Sequence, residues 1–288
     1  MRKSDTGWVA LALVEHLGGN KLTALSNLFD GDIEAIFNAD EASLRRIQGI
    51  GPKIAARIQA LNRQPLDQFK RQIEAWHKAG VSYATIADKS YPARLLHLPD
   101  PPAIVFWRGV ADAIPAHNTP AAAIIGTRQP TPKAAEAAER AAYDIAAKGW
   151  IVVSGLAAGI DAAAHRGALA AGGRTLAVLG SGILKVYPPE NQSLANQLIR
   201  CGALISEVRP SAVANTPALV ARNRLISAFS DSVLVVETAV DGGAMHAAKR
   251  AFASERAVFT FDLPATGNQA LIEQGATKLA IDAAFSPI

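Results

Sequence analysis

The chain has 288 residues, half of them hydrophobic and 6% aromatic, which is enough apolar material for one or two packed domains and excludes a disordered chain. A formal net charge of +4 permits a nucleic-acid partner but does not require one. The single cysteine, Cys201, excludes an internal disulfide, and no apolar run approaches the ~18 residues needed to span a bilayer, so we expect a cytoplasmic protein with no membrane partner.

Residues 1–78 predict an all-helical domain, because apolar residues recur at helical spacing between short polar or glycine-containing breaks. Within it, LRRIQGIGPKIAARI has the pattern of a helix-hairpin-helix of the SAM-like type. Gly49 and Gly51 would allow a tight turn whose N–H groups bind a phosphate, with Lys53 beside them. Such hairpins contact nucleic-acid backbones without reading their sequence. They also occur in domains that bind only protein, and both interpretations stay open here.

Residues 79–120 predict a proline-rich connector with one short strand, and residues 121–288 alternate strands with helices. The predicted strands are AAAIIG, WIVVS, RTLAVLG, ALISE, SVLVVE and AVFTF, and the predicted helices are 133–148, 160–171, 190–200, 222–229, 243–253 and GNQALIEQGA. Continuous apolar strands between helices are typical of a parallel sheet covered on both faces. The expected fold class is therefore α/β, an extended Rossmann-like sheet domain preceded by the helical domain.

Ligands of such sheets bind at the carboxyl ends of the strands, where four predicted turns carry small residues. These residues are Gly126 and Thr127, then Ser154, Gly155 and Gly159, then Gly180 and Gly182, then Gly242 and Gly243. Exposed N–H groups in these turns would bind phosphate, although glycine could also be needed only to form short turns. The dinucleotide, P-loop and nucleophile-elbow motifs are absent, and the six histidines show no metal-ligand spacing. We therefore expect no cofactor, no metal and no catalytic residue.

Three arginines are placed to reach the same edge of the sheet. Arg128 follows the first strand of the sheet domain, and Arg222 and Arg224 flank Asn223 at the start of a short helix. Guanidinium groups bind phosphate oxygens in a forked geometry, so three of them beside glycine turns favour a polyanion. The alternative is that they form structural ion pairs with Asp161, Glu207 or Glu237.

Taken together, these residues resemble the DNA-processing protein A (DprA/Smf) family. The segments that carry the resemblance are YPARLLHLPDPPAIVFWRG, AIIGTR, VVSGLAAGIDAAAHRGAL, GGRTLAVLGSGILKVYPPEN, LISE, ARNRLISAFSDSVLVVE and GNQALIEQGA. The resemblance implies a protein without enzymatic activity that binds single-stranded DNA, loads a RecA-type recombinase during recombination and natural transformation, and forms a homodimer through its Rossmann-like domain. It implies DNA contact by Gly126, Thr127 and Arg128, by the Ser154–Gly159 turn, and by Arg222 and Arg224. Tyr187 is the candidate for stacking on a base.

The sequence departs from the family pattern at several positions. Pro189 and Glu190 follow Tyr187-Pro188 where a basic residue is common, Gly242-Gly243-Ala244-Met245 replaces Ser-Gly-Ser-Leu, and Pro264-Ala265 replaces Pro-Gly. The chain ends soon after GNQALIEQGATKLA, so the winged-helix domain of many members is expected to be absent.

Two other functions stay open. One is a DprA-like antitoxin that pairs with a toxin encoded nearby in phage defence. The other is a phosphoribohydrolase-like enzyme, for which Glu207 and Glu237 are the only suitable carboxylates at strand ends.

Overall fold

The structure, a computed structural model, describes residues 3–63 and 66–287. The chain forms two compact units, one of Met1–Tyr91 with Leu96–Phe106 and one of Pro92–Leu95 with Trp107–Ile288. The segment predicted as a connector is thus shared between them. Within the described residues, no helix combines the length and the apolar character needed to cross a membrane.

The first unit is mainly helical, as the apolar spacing predicts. Its elements are α1 (Lys3–Ala12), α2 (Gly18–Leu28), α3 (Ile33–Asn38), α4 (Glu41–Arg45), α5 (Pro52–Asn62), α6 (Leu66–Lys78) and strand β1 (Ser82–Thr85). Two aspartates at the predicted breaks start helices. Asp32 accepts hydrogen bonds from the first turn of α3, and Asp40 accepts one from the Ser43 N–H of α4 at 2.6 Å. Fully buried Leu22, Ile36 and Ile58 form part of the core.

Helices α4 and α5 form the two arms of the predicted helix-hairpin-helix. Gly49 in the connection has φ +83°, which favours glycine, and Gly51 immediately precedes α5. Lys53 is exposed in the first turn of α5, whereas Arg57 is paired with Glu15 at 2.7 Å. Phosphate binding by this hairpin stays a prediction.

The second unit contains a parallel sheet covered by helices. Strand β2 (Ile104–Gly109) comes first in the chain, and its last three residues belong to this unit. The elements that follow are β3 (Ala121–Ile125), α7 (Pro132–Ala147), β4 (Ile151–Ser154), α8 (Ile160–Ala170), β5 (Thr175–Val178), α9 (Gln192–Cys201), β6 (Ala203–Ser206), α10 (Thr216–Ala221), α11 (Asn223–Phe229), β7 (Ser232–Val235), α12 (Ala244–Ala253), β8 (Ala257–Phe261), α13 (Thr266–Glu273) and β9 (Thr277–Leu279). The strands pair in the order β6-β5-β4-β3-β7-β8-β9, and each of these pairs is parallel. The predicted α/β class is confirmed.

The strand order reverses between β3 and β7. From β3 the chain adds β4, β5 and β6 on one side, and from β7 it adds β8 and β9 on the other. The connections on the two sides diverge at such a point and leave a crevice beyond the carboxyl ends of the two strands. Helices α7 and α8 pack closely against each other, since a Cβ at Gly167 of α8 would overlap the Glu139 carbonyl of α7. The strand order alone therefore places the candidate site in the crevice beyond β3 and β7.

Asn268 ties the segment after β7 to β8 and α13. Its side-chain amide is fully buried and donates to the carbonyls of Val236 and Phe261 and to the Thr260 hydroxyl, at 2.9–3.1 Å. Its side-chain oxygen accepts from the Thr238 N–H at 2.9 Å. We expect Asn268→Ala to lower the free energy of unfolding by about 2–4 kcal/mol, because it leaves buried backbone groups unpaired. Urea unfolding followed by circular dichroism measures this loss.

The control for Asn268→Ala is Gln269→Ala, since Gln269 is the neighbouring amide side chain and is exposed. We expect this control to stay within ~0.5 kcal/mol of the parent protein. Equal unfolding midpoints for the two variants would contradict the role given to Asn268.

Candidate nucleic-acid interface

A cleft of about 560 Å³ lies beyond the carboxyl ends of β3 and β7. Its walls come from the turns after these strands, the start of α8, helices α10 and α11, and the start of α12. The sequence-predicted residues that line it are Gly126, Thr127, Arg128, Tyr187, Arg222, Asn223, Gly242 and Gly243. The structure thus brings residues from four separate segments to one site.

The turn after β3 presents Arg128 to the cleft. The Thr127 N–H donates to the Glu237 carbonyl at 2.7 Å, and the Thr127 carbonyl accepts from the Ile160 N–H at 3.2 Å, so this turn is fixed to both neighbouring segments. Gly126 is required by space, since a Cβ there would lie 2.7 Å from Ile160 Cγ1. Arg128 is exposed, and no carboxylate of residues 3–63 or 66–287 forms an ion pair with it. This side chain is available to an anionic ligand.

The turn after β4 lies deeper than the sequence predicts. Ser154 is buried and donates its hydroxyl to the Ile124 carbonyl at 2.7 Å. Gly155 packs directly beneath the guanidinium of Arg222, which a Cβ would overlap, and Gly159 has φ +78° where the turn enters α8. None of these three residues lines the cleft, although Ala157 of the same turn does.

Arg222 lines the cleft but is buried and has partners of its own. Its Nη1 donates to the Gly155 carbonyl and, at 2.8 Å, to the Val178 carbonyl, while its Nη2 lies 3.7 Å from Asp161 Oδ2. Burial lowers the pKa of Arg222 and raises that of Asp161, and each charge opposes the shift of the other. Asp161 also accepts from the Ala157 N–H at 3.3 Å. For Arg222, the ion pair considered as the alternative is therefore present.

Arg224 forms a two-pronged ion pair with Glu207. Its two terminal nitrogens lie 2.8 and 2.7 Å from the carboxylate oxygens, and the pair is mostly buried outside the cleft lining. Asn223, which does line the cleft, donates to the Gly243 carbonyl at 3.2 Å and so joins α11 to the loop before α12. Direct phosphate contact by Arg224 stays a prediction, and its observed geometry is that of a positioning residue.

Gly180 and Gly182 are buried and lie outside the cleft lining. A Cβ on Gly180 would lie 2.6 Å from the Cα of Leu219, and one on Gly182 would overlap the Arg209 carbonyl, so both glycines permit close backbone packing. Tyr187, by contrast, is 40% exposed and borders both the cleft and a small side cavity of about 70 Å³. Its ring is the aromatic surface that the sequence predicts at this site.

The two carboxylates of the enzymatic alternative have structural partners. Glu237 accepts from the Thr131 N–H at 2.7 Å and from the Thr131 hydroxyl at 3.3 Å, at the start of α7. Glu207 is held by Arg224, and neither carboxylate lines the cleft. The carboxylate that does line it is Asp161, which the sequence favours as a helix-entry contact or an ion-pair partner over a catalytic residue. Helix α10, which contributes Thr216 and other lining residues, was not predicted.

Comparison with known proteins agrees with this architecture. A family model described as DNA recombination-mediator protein A matches residues 82–285. The chain belongs to this family. The resemblance seen in the sequence motifs is confirmed.

Two curated relatives from the family are similar over most of the chain. Protein Smf of Synechocystis is 33% identical over 254 residues, which are 88% of this chain and 63% of the relative. DNA processing protein DprA of Bacillus subtilis is 34% identical over 217 residues, 74% of this chain and 72% of the relative. The chain thus spans less than two thirds of the Synechocystis protein.

Two solved structures from the family share the fold. The X-ray structure of DprA from Streptococcus pneumoniae superposes with a TM-score of 0.80 at 24% identity, covering 96% of this chain and 94% of that chain. DprA from Helicobacter pylori, described for its single-stranded DNA binding mode, gives a TM-score of 0.62 at 28% identity, covering 68% of this chain and 90% of that chain.

Proposed function

We propose that this protein binds single-stranded DNA in the cleft at the β3–β7 switch point and delivers it to a RecA-type recombinase, with no bond-breaking chemistry of its own. The observation that carries the proposal is the placement of Arg128, exposed and without an ion-pair partner in the described chain, at a cleft lined by glycine turns and an exposed tyrosine. Membership of the recombination-mediator family supports it, as does the described single-stranded DNA binding mode of the Helicobacter pylori relative.

Different residues of the cleft bind the phosphates and the bases of a single DNA strand. Arg128 attracts the phosphates, and the turns containing Gly126 and Gly243 let the backbone approach closely. Tyr187 offers a face for base stacking, which is worth about 1–3 kcal/mol per base in such proteins. Arg222 and its partners keep the cleft in shape. Contacts of this kind depend on charge and on stacking and not on the identity of the bases, so we expect binding to be independent of the DNA sequence.

Two further parts of the proposal rest on the sequence, the first on the helix-hairpin-helix pattern and the second on the family resemblance. The hairpin of Gly49, Gly51 and Lys53 provides a second contact to nucleic-acid phosphates. A homodimer forms through the Rossmann-like unit and places two clefts in one assembly, which would raise affinity for a long strand by avidity.

Arg128→Ala tests the proposed phosphate contact. We expect it to weaken binding of a fluorescein-labelled oligothymidylate about tenfold, because it removes a charge-assisted hydrogen bond worth ~1.5 kcal/mol. The slope of log affinity against log salt should fall by about 0.7, the value of one phosphate contact on a single strand. Fluorescence anisotropy at several salt concentrations measures both quantities.

Arg174→Ala is the matched control, since it removes the same charge from a half-exposed side chain at the start of β5, on the opposite edge of the sheet. We expect its affinity and salt slope to equal those of the parent protein. If the two variants behave alike, Arg128 is not a phosphate contact and the cleft is not the binding site.

A further inference from the structure

The turn between β4 and α8 has the parts from which proteins build phosphate sites. It follows a buried strand, contains glycines, and leads into the N-terminus of an 11-residue helix, where the helix dipole favours an anion. A guanidinium, that of Arg222, lies directly over Gly155. In a nucleotide-binding protein, a terminal phosphate would be held at such a place.

Here the place is already filled by a carboxylate from the chain itself. Asp161, in the first turn of α8, accepts from the Ala157 N–H at 3.3 Å and lies 3.7 Å from Arg222 Nη2. Burial raises the pKa of Asp161, and the Arg222 guanidinium and the N–H groups of Ala157 and Gly155 oppose that shift. Asp161 is 4% exposed, yet it lies at the floor of the cleft, so a ligand would meet it at the end of the available space.

The other groups at the floor that could bind an anion already have hydrogen-bond partners within the chain. The Ile160 N–H donates to the Thr127 carbonyl, and Arg222 Nη1 donates to two backbone carbonyls. The floor therefore carries one buried negative and one buried positive charge, while the rim carries the exposed positive charge of Arg128. A phosphate has an exposed cation at the rim, whereas at the floor the cation is already paired with a carboxylate of the chain.

We propose that Asp161 is a built-in anion that occupies the phosphate position of this turn and thereby excludes the phosphate of a nucleoside monophosphate from the floor of the cleft. A phosphomonoester carries a charge of about −1.5 to −2 at neutral pH and would have to displace a buried carboxylate to reach the helix N-terminus. A phosphodiester chain has one charge per phosphate and can bind at the rim without entering the floor. The selection of a polymer over a free nucleotide rests on the proposed DNA binding, whereas the blocked turn stands on the geometry alone.

The first test uses the unaltered protein and dAMP. At constant ionic strength, 5 mM dAMP, which is ten times a dissociation constant of about 0.5 mM, should leave the melting temperature unchanged and should not displace the labelled oligothymidylate. Stabilisation by dAMP, or displacement of the oligonucleotide by it, overturns the proposal. Failure to bind the oligonucleotide at all would refute the proposed function without touching this result, since the thermal measurement needs no DNA.

The second test opens the turn. Asp161→Ala and the more conservative Asp161→Asn remove the carboxylate, and in either variant that folds, dAMP and inorganic phosphate should raise the melting temperature by about 2–4 °C relative to chloride at the same ionic strength. Asp241→Asn is the control, because it removes an exposed carboxylate from the neighbouring loop and should gain nothing. A folded Asp161 variant that gains no stabilisation by phosphate contradicts the proposal.

Discussion

Replacing Arg94 by alanine is expected to lower the free energy of unfolding by about 3–5 kcal/mol, because it takes a buried guanidinium away from several backbone carbonyls and a half-exposed carboxylate, at ~1–3 kcal/mol for each buried group left unpaired. Arg94 is 7% exposed and lies 2.9 Å from the Asp231 carboxylate, which also accepts from the Ala121 N–H at the start of β3. The same guanidinium donates to the carbonyls of Phe229 and Thr119 at 3.0 and 2.7 Å. The two carbonyls and the carboxylate would lose this donor together, while the Asp231 carboxylate would keep its hydrogen bond from the Ala121 N–H.

The measurement is urea unfolding followed by circular dichroism, with Arg174→Ala as the exposed control that should change stability by less than ~0.5 kcal/mol. Arg94→Lys should recover only part of the loss, because an ammonium keeps the charge but not the planar fork that serves several acceptors. Equal midpoints for Arg94→Ala and the parent protein would show that the network contributes nothing to stability.

Acid should destabilise the protein through His165. This side chain is fully buried on α8, and its Nδ1 lies 2.7 Å from the Thr175 hydroxyl. Because that hydroxyl donates to the Val152 carbonyl, it accepts from His165, so Nδ1 carries the proton and the buried Nε2 has no partner in the described chain. Burial, with the nearby charge of Arg222, lowers the pKa of His165 from 6.5 to about 3.

The sign of the effect follows from this lowered pKa. Between pH 6.5 and about 3 the unfolded chain binds a proton at His165 that the folded protein does not bind. The stability that this residue contributes is therefore complete above pH 6.5 and is lost progressively as the pH falls towards 3. Between pH 7 and pH 4 the loss from this group is about 3 kcal/mol, taking 1.36 kcal/mol for each pKa unit.

His165→Asn isolates this contribution, because its amide can donate to Thr175 but does not titrate. We expect the unfolding free energy of this variant to fall about 3 kcal/mol less than that of the parent protein between pH 7 and pH 4. His246→Asn, on the exposed face of α12, should keep the parent slope. Parallel pH profiles for the parent protein and His165→Asn would mean that the folded protein accommodates the charged ring.

The sheet could be predicted because its strands are short, continuous apolar runs separated by helices, a pattern that few other folds share. Strand β1, strand β9 and helix α10 were missed, the last two for clear physical reasons. Strand β9 has three residues, two of them exposed, so it carries no apolar run. Helix α10 has six residues and begins with Thr216-Pro217, and the side chain of Asn215 caps it, so it has too few turns to show helical spacing.

The site was predictable at the level of turns but not of side-chain partners. Glycine and arginine after apolar strands place a cleft at one edge of the sheet, and the residues predicted there do line it in part. Whether an arginine is free depends on carboxylates that the fold brings from elsewhere. Arg222 meets Asp161 and Arg224 meets Glu207, whereas Arg128 meets none in the described chain. Local sequence patterns carry no information about these long-range pairs.

The most direct test of the account is fluorescence anisotropy of a labelled single-stranded oligonucleotide, titrated with the unaltered protein at several salt concentrations and competed with duplex DNA. We predict tight binding at low salt, a linear fall of log affinity with log salt, and weak competition by duplex of the same length. An absence of binding at low salt, or an affinity that salt does not change, would contradict the assignment of this cleft to single-stranded DNA.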